Sequence, residues 1–304
     1  MERYFIFRKG NSQKFWKIET AGSDCKVTFG KLGTGGQTTE KSFESPEKCE
    51  SEAEKLIASK VKKGYVESTA EDVMDAKNEG KKYFLSDDFD GVPSLLADRI
   101  LNDKRLPELK AITIGAWGST YENSPADILN MMIANKEKFS HIEYLFVGDM
   151  DYEICEISWI NQCDYGPLLK ALPQLQTLII KGSQGLSLGD CPEHDNLKEL
   201  QIICGGLPEN IANELIDSRL PNLEKLVLYL GVDEYGLGVT RGHLEDLASK
   251  SLFPKLKSIG FTNAELGFQD EIVALLLKSD LLPQLEEIDI SCGALTDEGG
   301  QLLL

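Results

Sequence analysis

The amino-acid sequence predicts an α/β protein in two parts: a small antiparallel sheet with one helix, then a helix-backed solenoid on a parallel sheet. Three observations carry this expectation. β-prone runs alternate with turn residues from residue 3 to residue 41, and a helix-start signal follows at Ser45-Pro46-Glu47. From residue 106 onward one nine-residue phrase recurs to the end of the chain. With 304 residues, 41% apolar and 27% charged, the chain has material for two folded cores.

In the first part, residues 3 to 7 and Lys14-Phe15-Trp16-Lys17-Ile18-Glu19 are β-prone runs on either side of the turn residues Gly10-Asn11-Ser12. A second turn at Gly22-Ser23-Asp24 leads to Cys25-Lys26-Val27-Thr28-Phe29. The glycine-rich stretch Gly30 to Gly36 then precedes Gln37 to Lys41, which makes about four strands. Those glycines fit a hairpin loop rather than a phosphate loop, because Gln37-Thr38 stands where Lys-Ser/Thr would be needed. Ser45 then reads as an N-cap, Pro46 as the first helical residue and Glu47 as a first-turn acid. Cys49, Ala53, Leu56, Ile57 and Val61 recur at helical spacing. Gly64 after Lys60, Lys62 and Lys63 marks the stop.

These residues resemble the WGR domain. The likeness lies in Lys14 to Glu19, in Phe29-Gly30-Lys31-Leu32-Gly33-Thr34-Gly35-Gly36-Gln37, and in the closing Lys55-Leu56-Ile57 to Lys62-Lys63-Gly64-Tyr65. The family's Trp-Gly-Arg signature is matched in spacing, with Phe29 in the Trp place and Lys31 in the Arg place. In DNA-dependent poly(ADP-ribose) polymerases the similar domain packs its Trp on sugar at a DNA break and turns its Arg to nucleic acid or to neighbouring domains. The resemblance therefore implies nucleic-acid-end binding, limited to residues 1–66, through Phe29, Lys31, Lys60 and Lys63. Phe lacks the indole N–H and Lys lacks the planar fork of Arg, so weaker binding is implied. The alternative reading makes Phe29 a core strand residue and Lys31 a solvated one.

Residues 1–66 are thus expected to form the WGR-like domain, 67–91 an acidic linker, and 92–304 the repeat domain. The linker reading rests on Glu67-Ser68-Thr69-Ala70-Glu71-Asp72 and Ser86-Asp87-Asp88-Phe89-Asp90-Gly91, with a weak helical pattern from Val73 to Lys82.

The recurring phrase reads Leu106-Pro-Glu-Leu-Lys-Ala-Ile-Thr-Ile114, with copies at 172–180, 220–228, 253–261 and 282–290 and degenerate copies near Ser140 and Asp195. Leu109, Ile142, Leu175, Leu197, Leu223, Leu256 and Leu285 mark the copies at intervals of 33, 33, 22, 26, 33 and 29. The pattern L-x-x-L-x-L resembles the longer, helix-backed leucine-rich repeats, about seven of them in this chain. Helices are expected over Ser124 to Lys138, Pro208 to Arg219, Gly242 to Lys250 and Gln269 to Ser279. The Asn of that family's ladder is absent, with Ser183, Gly205, Ala264 and Gly293 in its place.

If alternate leucines point inward, Thr113, Phe146, Ile179, Gln201, Val227, Gly260 and Asp289 form one row on the other, concave face. With the neighbouring rows, Tyr144, Phe146, Ile179, Ile203, Val227 and Tyr229 are the expected contacts for an unidentified protein partner, because apolar groups at free positions usually answer to one.

Charge divides the same way. Residues 1–66 hold 13 Lys and Arg against 9 Asp and Glu, and the remainder 19 against 41. The acidic remainder argues against binding nucleic acid or anionic membrane. No apolar stretch approaches the length of a membrane helix. Seven scattered cysteines without a Cys-x-x-Cys pair suggest buried free thiols in a reducing, cytoplasmic setting, with no metal and no cofactor. His141, His194 and His243 fall in different repeats without a nucleophile and acid beside them, so the chain reads as a binding protein and not an enzyme.

Overall fold

The computed structural model describes residues 1–9, 12–31, 37–68, 80–85 and 91–304, which divide into two compact units, Met1–Lys81 and Lys82–Leu304. In the first, β1 (Glu2–Lys9), β2 (Ser12–Ala21), β3 (Asp24–Lys31) and β4 (Gln37–Ser42) precede α1 (Pro46–Lys62) and β5 (Val66–Ser68). All five strands pair antiparallel in the order β4-β3-β2-β1-β5. The helix begins where its capping residues place it: the Ser45 hydroxyl accepts the Lys48 N–H at 3.2 Å, and Pro46 stands in the first turn. It ends in a Schellman turn, with Tyr65 N–H donating to Lys60 O at 3.1 Å and Gly64 N–H to Val61 O at 2.9 Å, Gly64 having φ +90°.

Cys49, Ala53 and Ile57 bury one stripe of α1 against Phe5, Trp16, Ile18 and Cys25. Leu56 and Val61, expected on the same stripe, are exposed. A 17-residue helix lying on a narrow sheet covers less than its apolar pattern offers.

The larger sheet has eight strands in strict chain order, β13 back to β6, of which β7 to β13 lie wholly in the second unit and β6 begins two residues before it. They are β6 (Gly80–Tyr83), β7 (Ala111–Ile114), β8 (Tyr144–Val147), β9 (Thr177–Lys181), β10 (Glu199–Ile203), β11 (Lys225–Gly231), β12 (Ser258–Ala264) and β13 (Glu287–Asp289). From β7 to β13 all pairings are parallel. Between them run α2 (Pro93–Leu101), α3 (Ala126–Ala134), α4 (Lys136–Phe139), α5 (Gly166–Ala171), α6 (Glu209–Ile216), α7 (Arg241–Leu247) and α8 (Phe268–Leu276), and α9 (Asp297–Gln301) follows β13. The expected helices form; α2 and α5, each with a proline in its first turn, are additional.

The repeat phrase has a visible mechanical reason. Before each of six strands the same one-turn bond closes, as in Leu109 N–H to Leu106 O and Leu256 N–H to Phe253 O, both 3.2 Å. The next residue then joins a ladder from copy to copy: Glu143 N–H to Lys110 O, Gln176 to Glu143, Lys198 to Gln176, Glu224 to Lys198, Lys257 to Glu224 and Glu286 to Lys257, at 2.7–2.8 Å. Alternate strand residues such as Ile112, Leu145, Leu178, Leu200, Leu226 and Ile259 are buried in one continuous core.

Residues 67–68 and 80–83, expected within an acidic linker, are strand residues. Glu67 is held to β1 by Arg3, whose guanidinium donates to both carboxylate oxygens at 2.6 and 2.9 Å. Gly115 N–H donates to Tyr83 O at 2.8 Å, fixing β6 beside β7. The helical pattern from Val73 to Glu79, the Gly10-Asn11 turn, the glycine loop from Leu32 to Gly36 and Ser86 to Asp90 lie outside the described residues. All seven cysteines are free thiols, but Cys191 and Cys292 are exposed rather than buried. No described helix is long and apolar enough to cross a membrane, and no cluster of metal-binding side chains occurs among the described residues.

Candidate functional site

In the first unit, Phe29 pairs with Trp16 across β3 and β2, on the sheet face that α1 covers, and Lys31 pairs in register with Lys14. Trp16 is buried, 5.5 Å from Phe5, whereas Phe29 stands 38% exposed at the uncovered end of the same face. Phe29 is thus accessible and not a core residue. The Lys31 side chain lies outside the described part. Lys60 reaches back from α1, its ammonium 5.4 Å from the Trp16 ring and 5.0 Å from Tyr65. Burial, then the charges of Lys63 and Lys14, hold its pKa below the ordinary lysine value. Lys63, at the exposed helix end, completes a basic corner.

In the second unit the strand register places Thr113, Phe146, Ile179, Gln201, Val227, Gly260 and Asp289 side by side in one row, as the alternation of leucines predicts. Tyr144 lies in the row before it, beside Thr177, then Glu199, Lys225, Ser258 and Glu287. Ile203 pairs with Lys181, and Tyr229 with Thr262, in the row after it. Tyr144, Phe146, Ile179, Ile203 and Tyr229 are half-buried.

Val227 departs from the expectation. It is only 4% exposed, because it leans over Gly260, where a Cβ would come within 3.2 Å of both its methyl groups. It supports the face instead of offering contact.

The apolar row is bordered by polar pairs. Glu199 accepts from Gln201 Nε2 at 2.6 Å and lies 3.7 Å from Lys225 Nζ; Glu287 accepts from Ser258 Oγ at 2.7 Å. Burial chiefly, then the nearby carboxylates Glu199 and Asp149, raise the Tyr144 pKa. Burial first, then Cys292 and Asp289, raise that of Tyr229.

The three histidines are occupied in the backbone. His194 Nε2 lies 3.0 Å from Leu172 O while its Nδ1 accepts the Asn196 N–H at 3.2 Å, and His141 Nε2 lies 2.8 Å from Leu106 O. His243 Nδ1 accepts the Thr240 N–H in the capping box of α7.

The WGR domain family matches residues 1–72. A solved structure of a Bacteroides fragilis protein is 50% identical, covers 100% of this chain and 85% of its own, and superposes with a TM-score of 0.71. The chain belongs to the family of that protein, with a WGR domain at residues 1–72. Two Escherichia coli (strain K12) relatives are similar over less: "Uncharacterized protein YfeS", 39% identical over 88 residues, and "Protein YehF", 45% identical over 65. These matches take in 29% and 21% of this chain and only 34% and 24% of the relatives' own length.

Sequence reasoning missed two features. In the WGR domain the aromatic that carries Lys60 is Trp16, fifteen residues before the signature's end at Lys31; only the strand pairing brings it there. In the second unit the most exposed aromatics are not on the sheet face but in loops after the strands: Tyr121, Tyr152, Trp159 and Tyr235. The signal was present in the chain as aromatics lying outside any periodic pattern.

Proposed function

We propose that this chain is a non-catalytic adaptor whose second unit is an arc of about seven leucine-rich repeats. Its concave sheet face takes a protein partner through Tyr144, Phe146, Ile179, Ile203 and Tyr229, with Val227 beneath them. The observation that carries this reading is the aligned apolar row: in-register pairing sets Phe146 beside Ile179 on a face where packing does not demand hydrophobes. The occupied histidines support a role without catalysis. The WGR domain supplies a second contact. The test is affinity capture with the intact chain, compared with a Phe146→Ala/Tyr229→Ala variant. Loss of a partner by the variant supports the reading, and retention of every partner contradicts it.

A second reading has its own observation: Lys60 and Lys63 stand at the same face of the WGR domain as Trp16 and the exposed Phe29. Aromatic faces beside cations suit stacking on the end of a nucleic-acid strand. Such binding belongs to the first unit, since the second is strongly acidic.

A further inference from the structure

The loops that follow the strands of the second unit share a charge property. Residues 115–125, 148–165, 182–189, 204–208, 232–240, 265–267 and 290–296 contain no Lys and no Arg, although both recur in the turns before the strands, as at Lys104, Arg105, Lys110, Arg219, Lys255 and Lys257. In a parallel sheet these loops all lie at the C-terminal ends of the strands, so one rim of the sheet is free of basic side chains in its loops.

The same rim carries the exposed aromatics, and the backbone joins them into a ridge. Asn161 Nδ2 donates to Tyr121 O at 2.9 Å, and Gln184 Nε2 to Ser158 O at 2.8 Å, which fixes Trp159 beside the loop of Tyr121. Ser158 and Tyr235 then meet over Gly205, where a Cβ would lie 3.2 Å from the Ser158 Cβ and 3.4 Å from that of Tyr235. Ser158, the neighbour of Trp159, and Tyr235 therefore flank Gly205, and Trp159 and Tyr235 are 58% and 54% exposed. Exposing a tryptophan and a tyrosine side by side to this extent leaves a contiguous apolar and aromatic area in water.

Around the ridge stand Glu122, Asp151, Glu153, Glu156, Asp233 and Glu234, all exposed and none in an ion pair among the described residues. The two cations that approach from strands are spent: Lys181 Nζ donates to Met150 O at 2.6 Å, and Lys82 pairs with Asp149 at 2.9 Å. Aromatic faces among unpaired carboxylates fit one chemistry well, a cation carried on an extended stem.

We propose that this rim, centred on Trp159, Tyr235 and Tyr121, docks a Lys- or Arg-rich segment of a partner protein, its cations lying on the rings and pairing with the carboxylates. The rim site is separate from the sheet face and stands or falls without it.

The test uses the intact chain and a fluorescein-labelled nona-arginine peptide followed by anisotropy near physiological salt. Because diffuse attraction to an acidic protein would bind any polycation, the decisive variant removes no charge. Trp159→Ala/Tyr235→Ala is expected to weaken binding about tenfold, while Leu95→Ala, exposed on α2, leaves it unchanged. A second readout needs no variant. Trp16 and Trp117 are buried, so acrylamide quenching reports chiefly on Trp159, and the peptide is expected to reduce it. Equal affinity for the double variant, or binding that leaves the quenching unchanged, would overturn the proposal.

Discussion

Gly231 approaches Gly205 so closely that a methyl group on Gly231 would overlap the Gly205 carbonyl, which accepts the Val232 N–H at 3.0 Å. This contact joins the loop after β10 to the end of β11, and Gly231 meets it with φ +75°, a conformation that side chains disfavour. Gly231→Ala therefore has two costs, backbone strain and steric overlap, and is expected to destabilise by at least about 2 kcal/mol. Chemical denaturation of the variant checks this; a change under half that size would mean the loops part easily.

Thr262 is fully buried, and its hydroxyl has no hydrogen-bond partner. Thr262→Val keeps the shape and removes the unsatisfied group, so stability is expected to rise by about 1 kcal/mol. Denaturant midpoints of the two proteins decide it, and a less stable variant would indicate that the hydroxyl is bonded.

Burial lowers the pKa of His194 below its ordinary 6.5, against smaller opposing effects from the Leu172 carbonyl and Asp195. The unfolded chain then binds the proton more readily than the folded one. This part of the stability is complete above pH 6.5 and is lost as pH falls from there through the folded value. His194→Gln is expected to flatten that stretch of the stability curve. A curve with an unchanged slope would place the titration elsewhere.

Much of this architecture was legible in the chain. The recurrence of Leu-Pro-x-Leu gave the strand register, because the bonded turn and the copy-to-copy ladder both fall on those residues. Ser45, Pro46 and Gly64 likewise marked the ends of α1, since capping is a local matter. What stayed hidden depends on distant partners. Val66–Ser68 and Gly80–Tyr83 are short and polar, and become strands only because β1 and β7 offer them unpaired edges. The burial of Val227 follows from the missing side chain of Gly260, thirty-three residues away, and the aromatic rim from loops that carry no period at all.

If the WGR domain meets nucleic acid, the intact chain is expected to retain single-stranded or broken DNA at low salt and release it as salt rises. Phe29→Ala, Lys31→Ala and Lys63→Ala should each weaken it several-fold, roughly the worth of one stacking or phosphate contact. Filter binding across a salt series provides the measurement, and absence of retention at low salt excludes the interaction.

The claim that the sheet face is the main partner site is tested most directly by titrating the captured partner against the chain and against its Phe146→Ala/Tyr229→Ala variant. Both side chains are half-buried on a free face and outside the continuous core, so the thermal transition should move little while affinity falls at least about tenfold. A variant that folds as before and binds its partner with unchanged affinity would contradict the account.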